Sequence, residues 1–282
     1  MIALRVARLS IRGVIMLLLG AVSGPATADH FIGLAGDPGL RSASVLVIDG
    51  GGRQIYARDA DSVRPIASIT KLMTAMVVID SKPDFSEPIS ITRDDRDLVQ
   101  LTGSRLHYGA TLTRGQLLRL ALMASENRAA MALGRTWPGG IAAFVAAMNR
   151  KAQALGMRAT HFVDPAGLRV ENVSTARDLA LMLVAASRYP MITEASTTLR
   201  SEVSPWSDRG PLVYGNTNRL LRNQNWDISM GKTGYINEAG RCLVMRVTIE
   251  GEPVSIVLLN SFGKLTPFGD SNRLRHWMLG NS

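Results

Sequence analysis

The chain has 282 residues, a formal charge of +9, 46% hydrophobic residues and one cysteine, Cys242. That length and apolar content suit one large or two small packed domains, not a disordered tail. A lone cysteine excludes an intramolecular disulfide. The scattered basic residues form no stripe interleaved with aromatics, which argues against nucleic acid as a partner.

The first 28 residues read as an export signal. Arg5, Arg8 and Arg12 make a basic start, Gly13 to Val22 is a short apolar run, and Ala26-Thr27-Ala28 is an A-x-A cleavage site. The apolar run is too short to span a bilayer comfortably, so no integral membrane anchor is expected. No cysteine follows it to carry a lipid. Removing three arginines leaves the remainder at about +6, a surface that suits an anionic polymer such as cell wall, or simply solubility. The expected location is the periplasm. Asp29 to Arg41 lacks periodicity and is expected to be a flexible leader. Residues 42–282 are expected to form one catalytic domain.

Ser44 to Ile48 is β-branched, Asp49-Gly50-Gly51-Gly52 is turn chemistry, and Arg53 to Ala57 returns, which predicts a β-hairpin. Pro65 precedes a helix through Leu72, Met73, Met76, Val77 and Ile79. It is apolar on more than one face and so predicted to be central. Lys82-Pro83 ends it. Ile89 to Arg105 gives no clear pattern. Thr113 and Gln116 form a capping box ahead of Leu117 to Leu122. Polar Ser125-Glu126-Asn127 interrupts that run, and a helix over Arg128 to Arg135 follows. Ile141 to Leu155 is another helix, ended by Gly156, and Thr175 caps one through Leu183 and Ala186. Strand patterns return at Ile228 to Met230, Arg241 to Ile249 and Val254 to Leu259, with a turn at Glu250 to Pro253. Asp270 to Leu279 closes the chain as a helix. Cys242 falls inside a strand pattern, as a small buried hydrophobe. The expected class is α/β of the α+β kind: one antiparallel sheet built from both chain ends, flanked by helices, with a helical lobe.

Three short motifs carry chemistry. Ser68-Ile69-Thr70-Lys71 puts a hydroxyl and an amine on one helical face, about 5–6 Å apart. A neutral amine at Lys71 can take the proton of Ser68 and make it a nucleophile. Neutrality needs a depressed pKa, which burial and repulsion from Lys232 would both give. Ser125 can relay a proton between Lys71 and a leaving amine, and Asn127 can hold Lys71 and a substrate amide. Helix capping is the plain alternative for that pair. Lys232-Thr233-Gly234 lies on an edge-like strand, where Lys232 and Thr233 can meet a substrate carboxylate. Gly234 leaves room for a substrate to pair with the backbone. The N–H groups of Ser68 and Tyr235 can form an oxyanion hole. His30, His107, His161 and His276 are too dispersed for a zinc site. Each motif alone is weak. Their joint occurrence in this order matches the active-site set of penicillin-interacting serine enzymes.

On these motifs, and on PIASITKLMTAMVVID, LLRLALMASENRAAMAL, FVDPAGL, NVSTARDL and KTGYINEAGRCLVM, the chain resembles the low-molecular-mass penicillin-binding proteins. The family is that of the D-alanyl-D-alanine carboxypeptidases and endopeptidases, peptidase S11. The resemblance runs roughly from Leu40 to Met278. It implies the penicillin-binding transpeptidase/β-lactamase-like fold, Ser68 as the acylated serine and Lys71 as base. It places Ser125 and Asn127 in the catalytic cluster and Lys232 with Thr233 at the carboxylate. It implies peptidoglycan stem peptides as substrate, β-lactams as covalent inhibitors, and no metal or organic cofactor. Glu126 followed by Arg128-Ala129-Ala130, and the end of the chain soon after Lys232-Thr233-Gly234, resemble the endopeptidase branch, which cuts D-alanine–meso-diaminopimelate cross-links. Carboxypeptidase activity is the near alternative. A β-lactamase is disfavoured because no Glu-x-x-x-Asn lies between Ser125 and Lys232; Glu171-Asn172 lacks the spacing. A non-catalytic wall-binding protein on the same fold is the third reading.

Overall fold

The computed structural model describes Phe31 and residues 33–280; the export signal expected over residues 1–28 lies outside the described residues. The predicted hairpin forms as β1 (Ser42–Asp49) and β2 (Gln54–Arg58). A two-residue strand β3 (Arg64–Pro65) leads into a 3₁₀ turn, Ala67–Ile69, and then helix α1 (Thr70–Asp80). Residues Thr70 to Val78 of α1 are all buried, as its all-round apolar sequence requires.

The segment without a clear pattern contains β4 (Pro88–Ser90), which pairs with β5 (Thr111–Thr113). Then α2 (Arg114–Met123) begins at its capping box, with Gln116 N donating to Thr113 Oγ1 at 3.2 Å. α3 (Asn127–Arg135) and α4 (Gly140–Ala154) follow. A second short ribbon joins β3 to β6 (Val173–Ser174) ahead of α5 (Ala176–Ala186) and α6 (Pro190–Thr197). A third joins β7 (Arg200–Val203) to β8 (Leu212–Gly215). The chain ends with β9 (Asp227–Ile236), β10 (Gly240–Ile249), β11 (Glu252–Ser261) and α7 (Thr266–Met278).

The main sheet has the order β2-β1-β11-β10-β9. All of its pairings are antiparallel, and β1 from the N-terminal side lies against β11 near the C-terminus. Its central strands read as continuous apolar runs because both faces are covered. Leu46, Cys242, Val244, Val257 and Leu259 face the helical core with α1, α2 and α5. Val45, Val47, Leu243, Met245, Ile256 and Leu258 face a second core with Leu274 and Trp277 of α7. The period-two alternation thus divides one strand set between two cores.

Two expectations change. The turn between β10 and β11 is only Glu250-Gly251, both at positive φ (50° and 80°). That is the two-residue geometry that matches strand twist, so Glu252 and Pro253 already belong to β11. The described part of the leader is also packed. Phe31 and Leu40 are buried in the second core, and Ala35 O accepts from Trp277 Nε1 at 2.8 Å. A leader without periodicity still carries apolar anchors.

Candidate active site

The main sheet's edge strand β9 faces the turn that starts α1, and the break between α2 and α3 closes the third side. Ser68 sits in the 3₁₀ turn, and Lys71 is in the first turn of α1. Ala67, just before the serine, has φ +47°, a left-handed conformation that a non-glycine residue holds only under constraint.

Two glycines make the close approaches possible. A Cβ on Gly167 would lie 1.9 Å from Ala67 O, and its φ is +74°. Only glycine fits there. A Cβ on Gly234 would lie 2.9 Å from Ile66 O and 3.2 Å from Ser68 N. Lacking that atom, β9 brings its backbone beside the N–H of Ser68.

Lys71 is fully buried. Its Nζ lies 2.7 Å from Ser68 Oγ, 2.7 Å from Asn127 Oδ1 and 2.6 Å from Ala166 O. The amide oxygen and the carbonyl can only accept, so they take the two N–H groups of a neutral amine. The lone pair then faces the serine hydroxyl. Burial lowers the Lys71 pKa to about 7, against an opposing pull from the carboxylates of Asp164, Glu126 and Asp97. The expected repulsion acts on the other partner. Lys232, also buried, is pushed well below the usual lysine range first by burial and then by the charge of Lys71.

Ser125 lies in the break between α2 and α3 at φ +58°. The cap of α3 is Glu126, whose carboxylate accepts from Arg128 N at 3.2 Å. The side chains of Ser125 and Asn127 are therefore not consumed in capping. Lys232 Nζ donates to Ser125 Oγ at 2.8 Å and to Thr233 O at 2.9 Å. Asn127 holds Lys71, at the contact its place in the motif led one to expect.

The three motifs meet at one cleft of about 510 Å³, the size of a small-ligand site. Ser68, Ser125, Asn127, Thr233, Gly234 and Tyr235 line it, whereas Lys71 and Lys232 lie behind its wall. Thr233 Oγ1 bonds Thr217 Oγ1 at 2.7 Å. Thr217 and Asn216 line the cleft, as do Arg219, Arg222, Arg241 and Lys264.

Sequence reasoning missed two supports. Asp164, buried, accepts from the N–H groups of Ala166 (2.7 Å), Gly167 (2.6 Å) and Arg169 (2.9 Å), and from Asn172 Nδ2 at 2.7 Å. Its carboxylate shapes the loop that aims Ala166 O at Lys71. Asp-Pro-Ala-Gly is turn chemistry, the one signal that could have found it. Asn172 is spent on this loop and does not line the cleft. The second support is a chain: Thr102 Oγ1 donates to Asp97 at 2.6 Å and accepts from Asn127 Nδ2 at 2.8 Å.

A profile of peptidase S11, described as D-alanyl-D-alanine carboxypeptidase, matches residues 34–263. A D-alanyl-D-alanine endopeptidase of Pseudomonas aeruginosa is 50% identical over 240 residues, 85% of this chain and 77% of the relative. One of Escherichia coli is 45% identical over 246 residues, 86% of this chain and 79% of the relative. The crystal structure of the Streptomyces K15 DD-transpeptidase superposes with a TM-score of 0.80 at 26% identity. It covers 87% of this chain and 100% of that one. Fold and cleft together are those of a serine enzyme of the penicillin-binding class. The chain belongs to the peptidase S11 family of D-alanyl-D-alanine carboxypeptidases.

Proposed function

We propose that this chain is a peptidoglycan DD-endopeptidase that hydrolyses D-alanyl cross-links through an acyl-enzyme on Ser68 and is inhibited by β-lactams. The observation that carries the chemistry is the buried Lys71 amine, 2.7 Å from Ser68 Oγ with a pKa of about 7. The similarity to two endopeptidases over most of the chain favours cross-link cleavage over carboxypeptidase trimming.

In this reading neutral Lys71 takes the Ser68 proton as Oγ attacks the D-alanyl carbonyl. The N–H groups of Ser68 and Tyr235 receive the oxyanion. The C–N bond then breaks, and the leaving amine takes a proton from Ser125, which is refilled from Lys232. Water replaces the amine and attacks the ester carbonyl, its proton passes through Ser125 to Lys232, and Ser68 leaves with the proton held on Lys71. Repulsion favours one proton on the two buried lysines, and acylation uses the state in which Lys71 is the neutral member. Thr233 and Thr217 offer hydroxyls to the carboxylate next to the scissile bond, with Lys232 behind them.

Residues 1–28 are read as the export signal and residues 42–282 as the catalytic domain, which places the enzyme in the periplasm. No helix among the described residues is long and apolar enough to cross a membrane.

The test is to incubate the protein with a cross-linked muropeptide dimer and a monomeric pentapeptide and to identify products by mass spectrometry. Conversion of dimer to monomers, lost in Ser68→Ala, is expected. Release of D-alanine with the dimer untouched would move the activity to carboxypeptidase. A protein that leaves both intact would be a wall-binding member of the fold.

A further inference from the structure

The register of the edge strand divides the cleft into two halves. Thr233 carries the hydroxyl that meets the leaving-side carboxylate, and the N–H of Tyr235, two residues on, receives the oxyanion. What the cleft offers beyond Gly234 and Tyr235, away from Thr233, therefore meets the acyl half of the substrate, the half that stays on Ser68. One charged group there has no part in the chemistry. Arg241 of β10 pairs in register with Tyr235 of β9, as Cys242 does with Gly234. Arg241 and Tyr235 both line the cleft, and no aspartate or glutamate lines it. Arg241 makes no ion pair among the described residues.

The guanidinium of Arg241 lies 3.5 Å from the centre of the Tyr235 ring. Tyr235 is 47% exposed, yet its hydroxyl donates to Asn237 Oδ1 at 2.7 Å, on the turn between β9 and β10. That bond fixes the far end of the ring. The stack thus holds the cation in one place without neutralising it. A stacked guanidinium still offers its N–H edge, which fits a carboxylate in bidentate fashion.

β9 is a free edge of the main sheet, so the acyl half of a stem peptide can add to it as an antiparallel strand. The D-alanine under attack has its carbonyl at the Tyr235 N–H, and the stem residue before it is diaminopimelate. An extended peptide advances about 3.3 Å per residue, and neighbouring strands lie about 4.8 Å apart. The long side chains of Arg241 and of that diaminopimelate span this distance, whereas the γ-linked glutamate of the stem lies a further residue away. The diaminopimelate side chain ends in a carboxylate whether or not its amine is cross-linked. We infer that Arg241, stacked on Tyr235, binds the side-chain carboxylate of the diaminopimelate in the acyl-donating strand, and so selects stems with diaminopimelate over stems with lysine at that place. The inference rests on the acyl-enzyme reading above and holds for cross-link cleavage and for trimming alike.

The experiment measures kcat/KM for three synthetic muropeptide dimers that share one leaving strand. Their donor strands carry diaminopimelate, lysine in its place, or diaminopimelate behind a γ-linked glutamate whose α-carboxylate is amidated. Lysine lacks only the side-chain carboxylate of diaminopimelate. The same three donors are also offered as monomeric pentapeptides. The intact protein is compared with Arg241→Gln and Arg241→Lys, and the rate of labelling by a fluorescent penicillin, which carries no such residue, checks that each variant is folded. The expected result is a preference of about 10-fold or more for diaminopimelate over lysine in the intact protein. It should be lost in Arg241→Gln through slower cleavage of the diaminopimelate donor alone, and partly kept in Arg241→Lys. The glutamate-amidated dimer should be cut as fast as its parent. Equal rates on the diaminopimelate and lysine donors would overturn the subsite without any variant, so the test survives a variant that does not fold. A preference that persists in folded Arg241→Gln, or a fall that follows amidation of the glutamate, would also overturn it. Dimers cut without preference would leave the endopeptidase reading standing and remove the subsite. A preference among pentapeptides with every dimer left intact would support the subsite and overturn the endopeptidase reading.

Discussion

Lys71 is the residue on which the chemistry turns, and its surroundings determine its titration. Burial holds its pKa at about 7 while Asp164, Glu126 and Asp97 pull it upward. The base is the neutral amine, so acylation should fall as pH drops through that value. Asp97→Asn removes one of the opposing charges. It should lower the Lys71 pKa further and move the acid limb of the acylation profile to lower pH. Stopped-flow acylation by a chromogenic cephalosporin, followed across pH, would check this; a limb that stays in place or moves up contradicts it. Thr102→Val cuts the link between Asp97 and Asn127. Loss of this partly exposed link, about 0.5–1.5 kcal/mol, should slow acylation by up to roughly 10-fold while the penicillin adduct still forms on Ser68.

At the scale of elements, the site depends on how closely three segments approach. Gly167→Ala would force a Cβ to within 1.9 Å of Ala67 O at a φ of +74°. Overpacking of that kind costs about 1–3 kcal/mol or more, so a clear drop in Tm is expected alongside loss of acylation. Gly234→Ala, where the added atom meets Ile66 O at 2.9 Å, should push β9 from the nucleophile with a smaller change in Tm. Equal loss of stability in both variants would show that β9 is a structural wall only. The same scale explains what could be read in advance. The hairpin of β1 and β2, the buried α1 and the Thr113 cap each had a local signature: alternation, all-round apolarity, a paired Thr and Gln. The ribbon of β7 and β8 did not. Arg200-Ser201-Glu202-Val203 has no alternation, and a polar loop separates it from its partner. The motif residues were legible because their chemistry is compact in sequence. Asp164 and Thr102 were not, because their importance comes from backbone and side-chain bonds that only the folded chain brings to Lys71 and Asn127.

Across the whole molecule, the two chain ends are joined in one sheet, and a single carboxylate ties them. Asp270, at 0% exposure in α7, accepts from Arg41 N at 3.0 Å and Ser42 N at 2.7 Å, and also bonds Ser42 Oγ and Arg273. Asp270→Ala would leave buried donors unpaired at the start of β1. A loss of about 2–5 kcal/mol is expected in urea unfolding, because a charged acceptor serving several donors is removed. A loss under 1 kcal/mol would mean that water replaces the carboxylate. The pairing of β1 with β11 is what sets β9 at the free edge beside Ser68, so the union of the two ends is upstream of the site.

The central claim is that a neutral, buried Lys71 activates Ser68. The most direct measurement is the rate of Ser68 acylation by a fluorescent penicillin as a function of pH, with the labelled peptide identified by mass spectrometry. The expected result is a single rising limb near pH 7, an adduct on Ser68, and loss of labelling in both Ser68→Ala and Lys71→Met. A rate flat through neutral pH, or an adduct that persists in Lys71→Met at the same rate, would contradict it.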